Sequence, residues 1–91
     1  MMFETIKKPR NTHLAIYLLK VLNEKYACAN EIKQKLKSKH VNYNGKDFFP
    51  VLSHLVLNNY LCYNWINESG KLEKYFHLTQ SGKLKIVRGD W

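Results

Sequence analysis

Hydrophobic residues recur along the first quarter of the chain at the spacing of an amphipathic helix. From Thr12 to about Lys25 they repeat at intervals of three, four and seven residues, which predicts one helix with a wide apolar face. Its apolar residues are Leu14, Ala15, Ile16, Tyr17, Leu18, Leu19, Val21 and Leu22. Either Asn11 or Thr12 can cap it. So wide a face predicts that the helix is central in the fold or is also buried against a second copy of the chain.

A second helix is predicted from Ala29 to about Ser38, after an extended link over residues 26–28. Its inward residues are Ala29, Ile32 and Leu36. Four lysines occupy alternate positions at its end, and Lys33 and Lys37 share a face from which they could contact a phosphate. The alternative is that these lysines are ordinary solvated surface residues.

The third helix is predicted over about residues 46–58, after a polar turn that ends at Gly45. At 100° per residue, one side contains Phe48, Leu52, Leu55 and Val56. The opposite side contains Lys46, Pro50, Ser53, His54 and Leu57. The helix cap is either Asn44 or Asp47, and with Asp47 as the cap Pro50 falls in the first turn, where it removes no hydrogen bond. The outer side suggests binding to another molecule, although a mixed surface on a small helical bundle gives the same pattern.

From Leu61 onward the hydrophobic period changes to alternation, which predicts a β-hairpin over residues 62–78. A turn at residues 68–71 contains glycine, and Phe76 and Leu78 are the predicted core pair. A short helix through about Val87 follows. Three helices, a hairpin wing and a short C-terminal helix predict an α+β, mainly helical, winged helix-turn-helix fold. We expect one domain over residues 1–91, with an N-terminal arm at 1–11 and a tail at 88–91.

The net charge of the chain indicates what class of partner it could bind. The chain has 15 Lys and Arg residues against 7 Asp and Glu residues, a net charge of +8, which favours an anionic partner such as nucleic acid or a membrane surface. Lys7, Lys8 and Arg10 place part of this charge in the arm.

The sequence contains few signals of metal binding, catalysis or membrane insertion. Cys28 and Cys62 stand in no C-x-x-C or H-x-x-x-H pairing, so both are predicted to be small buried side chains, with no metal and no cofactor. The absence of a glycine-rich phosphate loop and of a nucleophile motif argues against an enzyme. The chain has neither a signal-peptide pattern nor an apolar run of membrane-spanning length, which predicts a cytoplasmic protein.

Two stretches resemble the PadR-like winged-helix transcriptional regulators. Residues 47–55, Asp-Phe-Phe-Pro-Val-Leu-Ser-His-Leu, look like the recognition helix of that family, usually Leu-Tyr-Pro-Ala-Leu followed by two polar residues and Leu. Residues 74–83, Lys-Tyr-Phe-His-Leu-Thr-Gln-Ser-Gly-Lys, look like its second wing strand, usually Lys-Tyr-Tyr-Arg-Leu-Thr-Glu-Glu-Gly-Arg. With weaker agreement at residues 30–32, the resemblance covers about residues 12–87.

The resemblance implies a homodimeric repressor that binds double-stranded DNA, with the third helix in the major groove and the wing on the phosphate backbone. Carried over by position, the DNA-facing residues of the helix are Lys46, Asp47, Phe49, Pro50, Ser53 and His54, and those of the wing are Lys71 and Lys74. Ser53 and His54 stand where the family often has Arg or Lys. No counterpart of the family's long dimerising helix follows the wing, which predicts a short form.

A winged helix can also serve as a protein-binding module that reads no bases. In that alternative the contact would be made by the outward apolar residues Phe49, Leu57 and Trp65.

Overall fold

The computed structural model describes residues 9–89, which form four helices and three strands. The helices are α1 (Thr12–Glu24), α2 (Ala29–Ser38), α3 (Phe48–Leu57) and α4 (Gln80–Arg88). The strands are β1 (Ala27–Cys28), β2 (Leu61–Glu68) and β3 (Lys71–Leu78). The predicted winged-helix fold class is confirmed. The predicted basic arm falls largely on residues 1–8, and the end of the predicted tail on residues 90–91, both outside the described residues.

The sheet is antiparallel, with the strand order β1, β3, β2. β2 and β3 are the predicted hairpin, and their two-residue loop has positive φ at Ser69 (54°) and Gly70 (78°). This is the type I′ geometry that suits the right-handed twist of paired strands. The third strand, β1, is the link that the sequence predicts only as extended, and it pairs Ala27 with Phe76 and Cys28 with Tyr75.

α1 lies at the centre of the core, which decides between the two explanations of its wide apolar face. It packs against α2, α3, α4 and β3. Its buried residues are Leu14, Ala15, Leu18, Leu19, Val21 and Leu22. Neighbours within the same chain therefore cover this face, and α1 itself supplies no reason for a second copy.

Local caps fix the helix boundaries. Asn11 caps α1, because its Oδ1 accepts a hydrogen bond from the Leu14 amide at 3.0 Å. Asp47 is the N-cap residue of α3, so Pro50 lies in the first turn, where it removes no hydrogen bond. α3 ends where Asn59 adopts a left-handed φ of 65° and the Tyr60 amide donates to the Leu55 carbonyl at 2.9 Å.

Hydrogen bonds of Thr79 join the start of α4 to the end of α3. Thr79 Oγ1 accepts a hydrogen bond from the Gly82 amide at 3.0 Å and donates one to the Asn59 carbonyl at 2.6 Å. The Thr79 amide also donates to the Tyr60 carbonyl at 3.1 Å. A Cβ atom on Gly82 would overlap that Tyr60 oxygen and would lie 2.7 Å from Leu78 Cδ1, so any larger residue here must displace its neighbours.

The two cysteines differ in environment. Cys28 is buried as predicted, but Cys62 is exposed, so the prediction is wrong for Cys62. The reason is that β2 leaves the core immediately after Leu61. Residues 9–89 contain no cluster of three His, Cys, Asp or Glu side chains that could hold a metal ion. Within the same range, every helix is too short or too polar to cross a lipid bilayer.

Candidate nucleic-acid interface

An open groove of about 550 Å³ lies between α3 and the wing formed by β2 and β3; we refer to it as the α3–wing groove. α3 contributes Phe49, Leu52, Ser53, Val56 and Leu57; the wing contributes Tyr63, Glu73, Lys74 and Phe76; and Cys28, Ala29 and Asn30 complete the lining. Three residues of the predicted site, Phe49, Ser53 and Lys74, therefore lie on one surface.

The exposed side of α3 is narrower than the sequence predicts. Lys46 and Asp47 lie in a 3₁₀ turn (Gly45–Asp47) before the helix and not within it. Phe49, Pro50 and Ser53 are exposed as expected.

His54 departs from its predicted outward position. It is half-buried, and its Nε2 atom is buried with no hydrogen-bond partner among the described residues. The sequence prediction omits Val51, which is buried three residues before His54 and extends the inward side of α3 as far as the histidine. Ser53 is therefore better exposed than His54 for contact with another molecule.

Asp47 makes contacts with the segment that precedes α1. Its Oδ1 lies 3.0 Å from Arg10 Nε, and its Oδ2 accepts a hydrogen bond from Asn11 Nδ2 at 3.3 Å. Since Asn11 also caps α1, this cluster joins the starts of α1 and α3. Arg10 offsets the negative charge of Asp47, which would otherwise repel phosphate at this edge of the predicted site. Sequence reasoning missed the cluster because 36 positions separate Asn11 from Asp47.

The lysines of α2, together with its C-cap Lys39, contact two different sets of neighbours. Lys35 Nζ lies 3.6 Å and Lys39 Nζ lies 3.0 Å from the Glu24 carboxylate at the end of α1. The hydrogen bond from Lys39 is the main cause that lowers the pKa of Glu24. Lys33 instead lies over the rings of Phe48 and Phe49, at 5.0 and 4.9 Å.

Lys37, one turn after Lys33, is exposed. The predicted pair Lys33 and Lys37 is therefore the pair of α2 lysines that makes no ion pair with Glu24.

The lysines of the wing also differ from each other. Lys74 Nζ lies 4.4 Å from the ring centre of Tyr63 and 5.3 Å from that of Trp65, both exposed aromatic residues. Lys71 is exposed beside the hairpin loop, paired in register with Glu68. Tyr75 donates a hydrogen bond to Glu68 at 3.1 Å, and this bond is the main cause that raises the pKa of Tyr75 to about 12.

The rings around Lys74 were missed as a group by sequence reasoning. Alternation places Tyr63 and Trp65 on one face of β2, but only the register of β3 reveals that Lys74 lies opposite Trp65.

No protein-family model and no curated protein matches the sequence. Solved structures do match the fold. A PadR family transcription regulator from Clostridium difficile R20291 has a TM-score of 0.78 and 20% sequence identity, over 85% of this chain and 82% of that one. A PadR-like transcription factor from Bacteroides fragilis has a TM-score of 0.74 and 27% identity, over 84% of this chain and 75% of that one.

PadR from Bacillus subtilis, solved in complex with operator DNA, has a TM-score of 0.75 and 18% identity to this chain. The match covers 85% of this chain and 46% of that one. The resemblance indicated by the recognition-helix and wing motifs is thus confirmed, and this chain has the winged-helix fold of the PadR-family transcription regulators.

Proposed function

We propose that this chain is a sequence-specific transcription regulator that binds double-stranded DNA, with residues 46–58 in the major groove and the wing, residues 62–78, on the phosphate backbone. One observation supports it most: the exposed side of α3 and Lys74 of the wing border a single groove, and Lys33 of α2 lies against Phe49 in the lining of that groove. The same fold in the Bacillus subtilis PadR was solved with operator DNA.

Contacts to DNA bases and contacts to phosphates are expected from different elements of the fold. Lys46 and Ser53 are the main candidates for base contacts, and Phe49 and Pro50 supply apolar contacts beside them. His54 could join them only by turning outward from its half-buried position. The candidates for phosphate contacts are Lys33, Lys37, Lys71 and Lys74. Because the exposed side of α3 carries little charge, most of the affinity would come from the lysines, with sequence preference added by a few polar atoms. Asp47 would support the helix start through Arg10 and Asn11 instead of contacting DNA.

A dimer is the expected form on DNA, and α4 is its proposed contact. Leu84 and Val87 are exposed on α4, beside the half-buried Ile86. Pairing of two such helices would cover apolar surface and would place two recognition helices about 34 Å apart, one turn of duplex. Occupancy of a promoter by such a dimer would block transcription, so we propose a repressor.

Sedimentation at tens of micromolar tests the dimer directly. We expect a dimer for the parent chain and a monomer for Val87→Asp, since a charge at this exposed apolar position would oppose pairing. A monomeric parent chain would contradict this part of the proposal.

The salt dependence of affinity tests the proposal that the chain binds DNA. A preferred duplex is first selected from random sequences, and its affinity is then measured by fluorescence anisotropy at 50 and 200 mM salt. If a dimer neutralises about 6–10 phosphates, affinity falls by about 10³–10⁵ over this range. A flat response would favour the protein-binding alternative through Phe49, Leu57 and Trp65.

Matched variants then separate base contacts from phosphate contacts. Ser53→Ala should cost about 1–3 kcal/mol on the preferred duplex and much less on random duplex. Lys71→Ala should weaken both duplexes alike and lower the salt slope by about one. Lys71 is a cleaner choice than Lys74, which also contacts aromatic rings. The control is Lys25→Ala after the end of α1, another exposed lysine, which lies outside the proposed DNA and dimer contacts and should change neither affinity nor salt slope.

A further inference from the structure

The side of the wing that faces α3 carries exposed aromatic rings. The register pairs Tyr63 with Phe76 and Trp65 with Lys74, so all four side chains share one face of the hairpin. Phe76 is buried, but Tyr63 is 43% exposed and Trp65 is 58% exposed. Leu72, at 61%, continues the same face toward the loop. Aromatic rings so exposed add little to the core and remain available to a partner.

The ammonium group of Lys74 lies among these rings and not at their edge. It is 4.4 Å from the ring centre of Tyr63, 5.3 Å from that of Trp65 and 5.9 Å from that of Phe76. The rings of Tyr63 and Trp65 are 6.4 Å apart and nearly perpendicular, at 86°. Contact with the ring faces holds the cation in place and puts positive charge on an apolar surface.

The opposite wall of the α3–wing groove repeats this combination. Phe49 is 54% exposed, and Lys33 Nζ lies 4.9 Å from the centre of its ring. The groove therefore has an exposed aromatic ring in each wall, and a cation lies against each ring, although only Lys74 lines the groove itself. Its volume of about 550 Å³ is within the range of sites that hold small organic ligands, so a nucleotide-sized group can enter it.

Exposed aromatic rings with lysine ammonium groups beside them can recognise unpaired nucleotides. Base faces stack on aromatic rings, while lysines attract the adjoining phosphates. In a duplex the base faces are covered by neighbouring bases, so these rings have no stacking partner there. An uncharged apolar protein surface would leave the cations without an anion, and the net charge of +8 opposes a basic partner.

We propose that the wing face formed by Tyr63, Trp65 and Lys74 binds single-stranded DNA. Bases stack on Tyr63 and Trp65, and Lys74 contacts the phosphate between them. This activity goes beyond duplex recognition because it depends on the rings of Tyr63 and Trp65, whereas base contacts in a duplex depend on the exposed side of α3. Lys74 is a proposed phosphate contact in both.

The experiment compares two probes that carry equal charge. Fluorescently labelled dT12 and a twelve-residue abasic DNA strand have the same phosphates, but only dT12 has bases. We expect the parent chain to bind dT12 about tenfold or more tightly than the abasic strand, and Trp65→Ala or Tyr63→Ala to remove most of this difference. Trp65→Phe, which keeps a ring, should retain most of it. Tyr26→Ala, an exposed aromatic residue that contacts Tyr75 and His77 on the other face of the sheet, is the control that should change nothing.

Fluorescence gives a second readout. The chain has two tryptophans, so with Trp91→Phe as background Trp65 becomes the only one. Its emission should be quenched by dT12 and unchanged by the abasic strand. Because Trp65 is exposed, we expect the variants to remain folded, which circular dichroism checks.

Several results would overturn the proposal. Equal affinity for dT12 and the abasic strand would show attraction to phosphate alone. Unchanged binding by Trp65→Ala would remove the rings from the contact, and tighter binding of rU12 than of dT12 would assign the surface to RNA. A change in sedimentation caused by Trp65→Ala would show instead that the rings join two copies of the chain.

Duplex binding, measured in the same series, separates this inference from the proposed function. A chain that binds its preferred duplex but not dT12 refutes the single-strand proposal alone, and a chain that binds neither refutes both.

Discussion

Replacement of Gly82 by alanine tests how α4 is seated on the end of α3. The added Cβ atom would overlap the Tyr60 carbonyl oxygen and press on Leu78. The carbonyl accepts a hydrogen bond from the Thr79 amide, and Gly82 donates to Thr79 Oγ1, so neither side can move without loss of a bond. Overpacking typically costs about 1–3 kcal/mol, and a clash with backbone belongs at the upper end. Alanine recovers up to about 1 kcal/mol in helix propensity.

The expected net loss is therefore about 2 kcal/mol, which for a domain of this size lowers Tm by about 8–16 °C. Thermal unfolding followed by circular dichroism measures it. The control is Gly45→Ala, where no atom lies within 4 Å of the new Cβ and a change within about 0.5 kcal/mol is expected. A Gly82→Ala variant that melts at or above the parent temperature would refute this account of the contact.

Three further perturbations have defined outcomes. Leu52→Ala should leave a cavity in the core and cost about 2–5 kcal/mol in urea unfolding; a cost below 1 kcal/mol would contradict its burial. Asp47→Ala should cost about 1 kcal/mol, and Arg10→Ala should cost nothing more in that background, which a double-mutant cycle measures. The hydrogen bond from Lys39 lowers the pKa of Glu24, so the ionised Glu24 side chain stabilises the fold above pH 4.5. This stabilisation is lost as pH falls through the pKa of Glu24 in the folded state. Thermal unfolding of Glu24→Gln between pH 3 and 7 should lack this pH dependence.

Repeating patterns in the sequence predict the fold well. The helical period predicts the buried residues of α1 and most of those of α3, and alternation predicts the wing, because burial on one side of an element produces a regular hydrophobic pattern. β1 is only two residues long, too short for any period to show. The exposure of Cys62 was missed because composition cannot tell where a strand leaves the core.

The candidate site was predicted less completely, for a related reason. Sequence identifies which face of α3 is exposed, but contacts between distant segments leave no local pattern. The link from Asp47 to Arg10 and Asn11, and the position of Lys74 among three rings, both depend on tertiary geometry. His54 shows the limit of an idealised helical wheel, since a histidine at the boundary between faces can turn inward.

The lysines of α2 and of its C-cap divide between contacts within the fold and the proposed DNA surface. Lys35 and Lys39 pair with Glu24 and so join α1 to α2, whereas Lys33 and Lys37 belong to the proposed DNA surface. Substitutions in the first pair can alter the free energy of unfolding without removing a phosphate contact, and substitutions in the second can alter the phosphate contacts without breaking an ion pair to α1. α2 and its C-cap thereby give selection two separate pairs of lysines to change, because the members of each pair lie one helical turn apart on their own face.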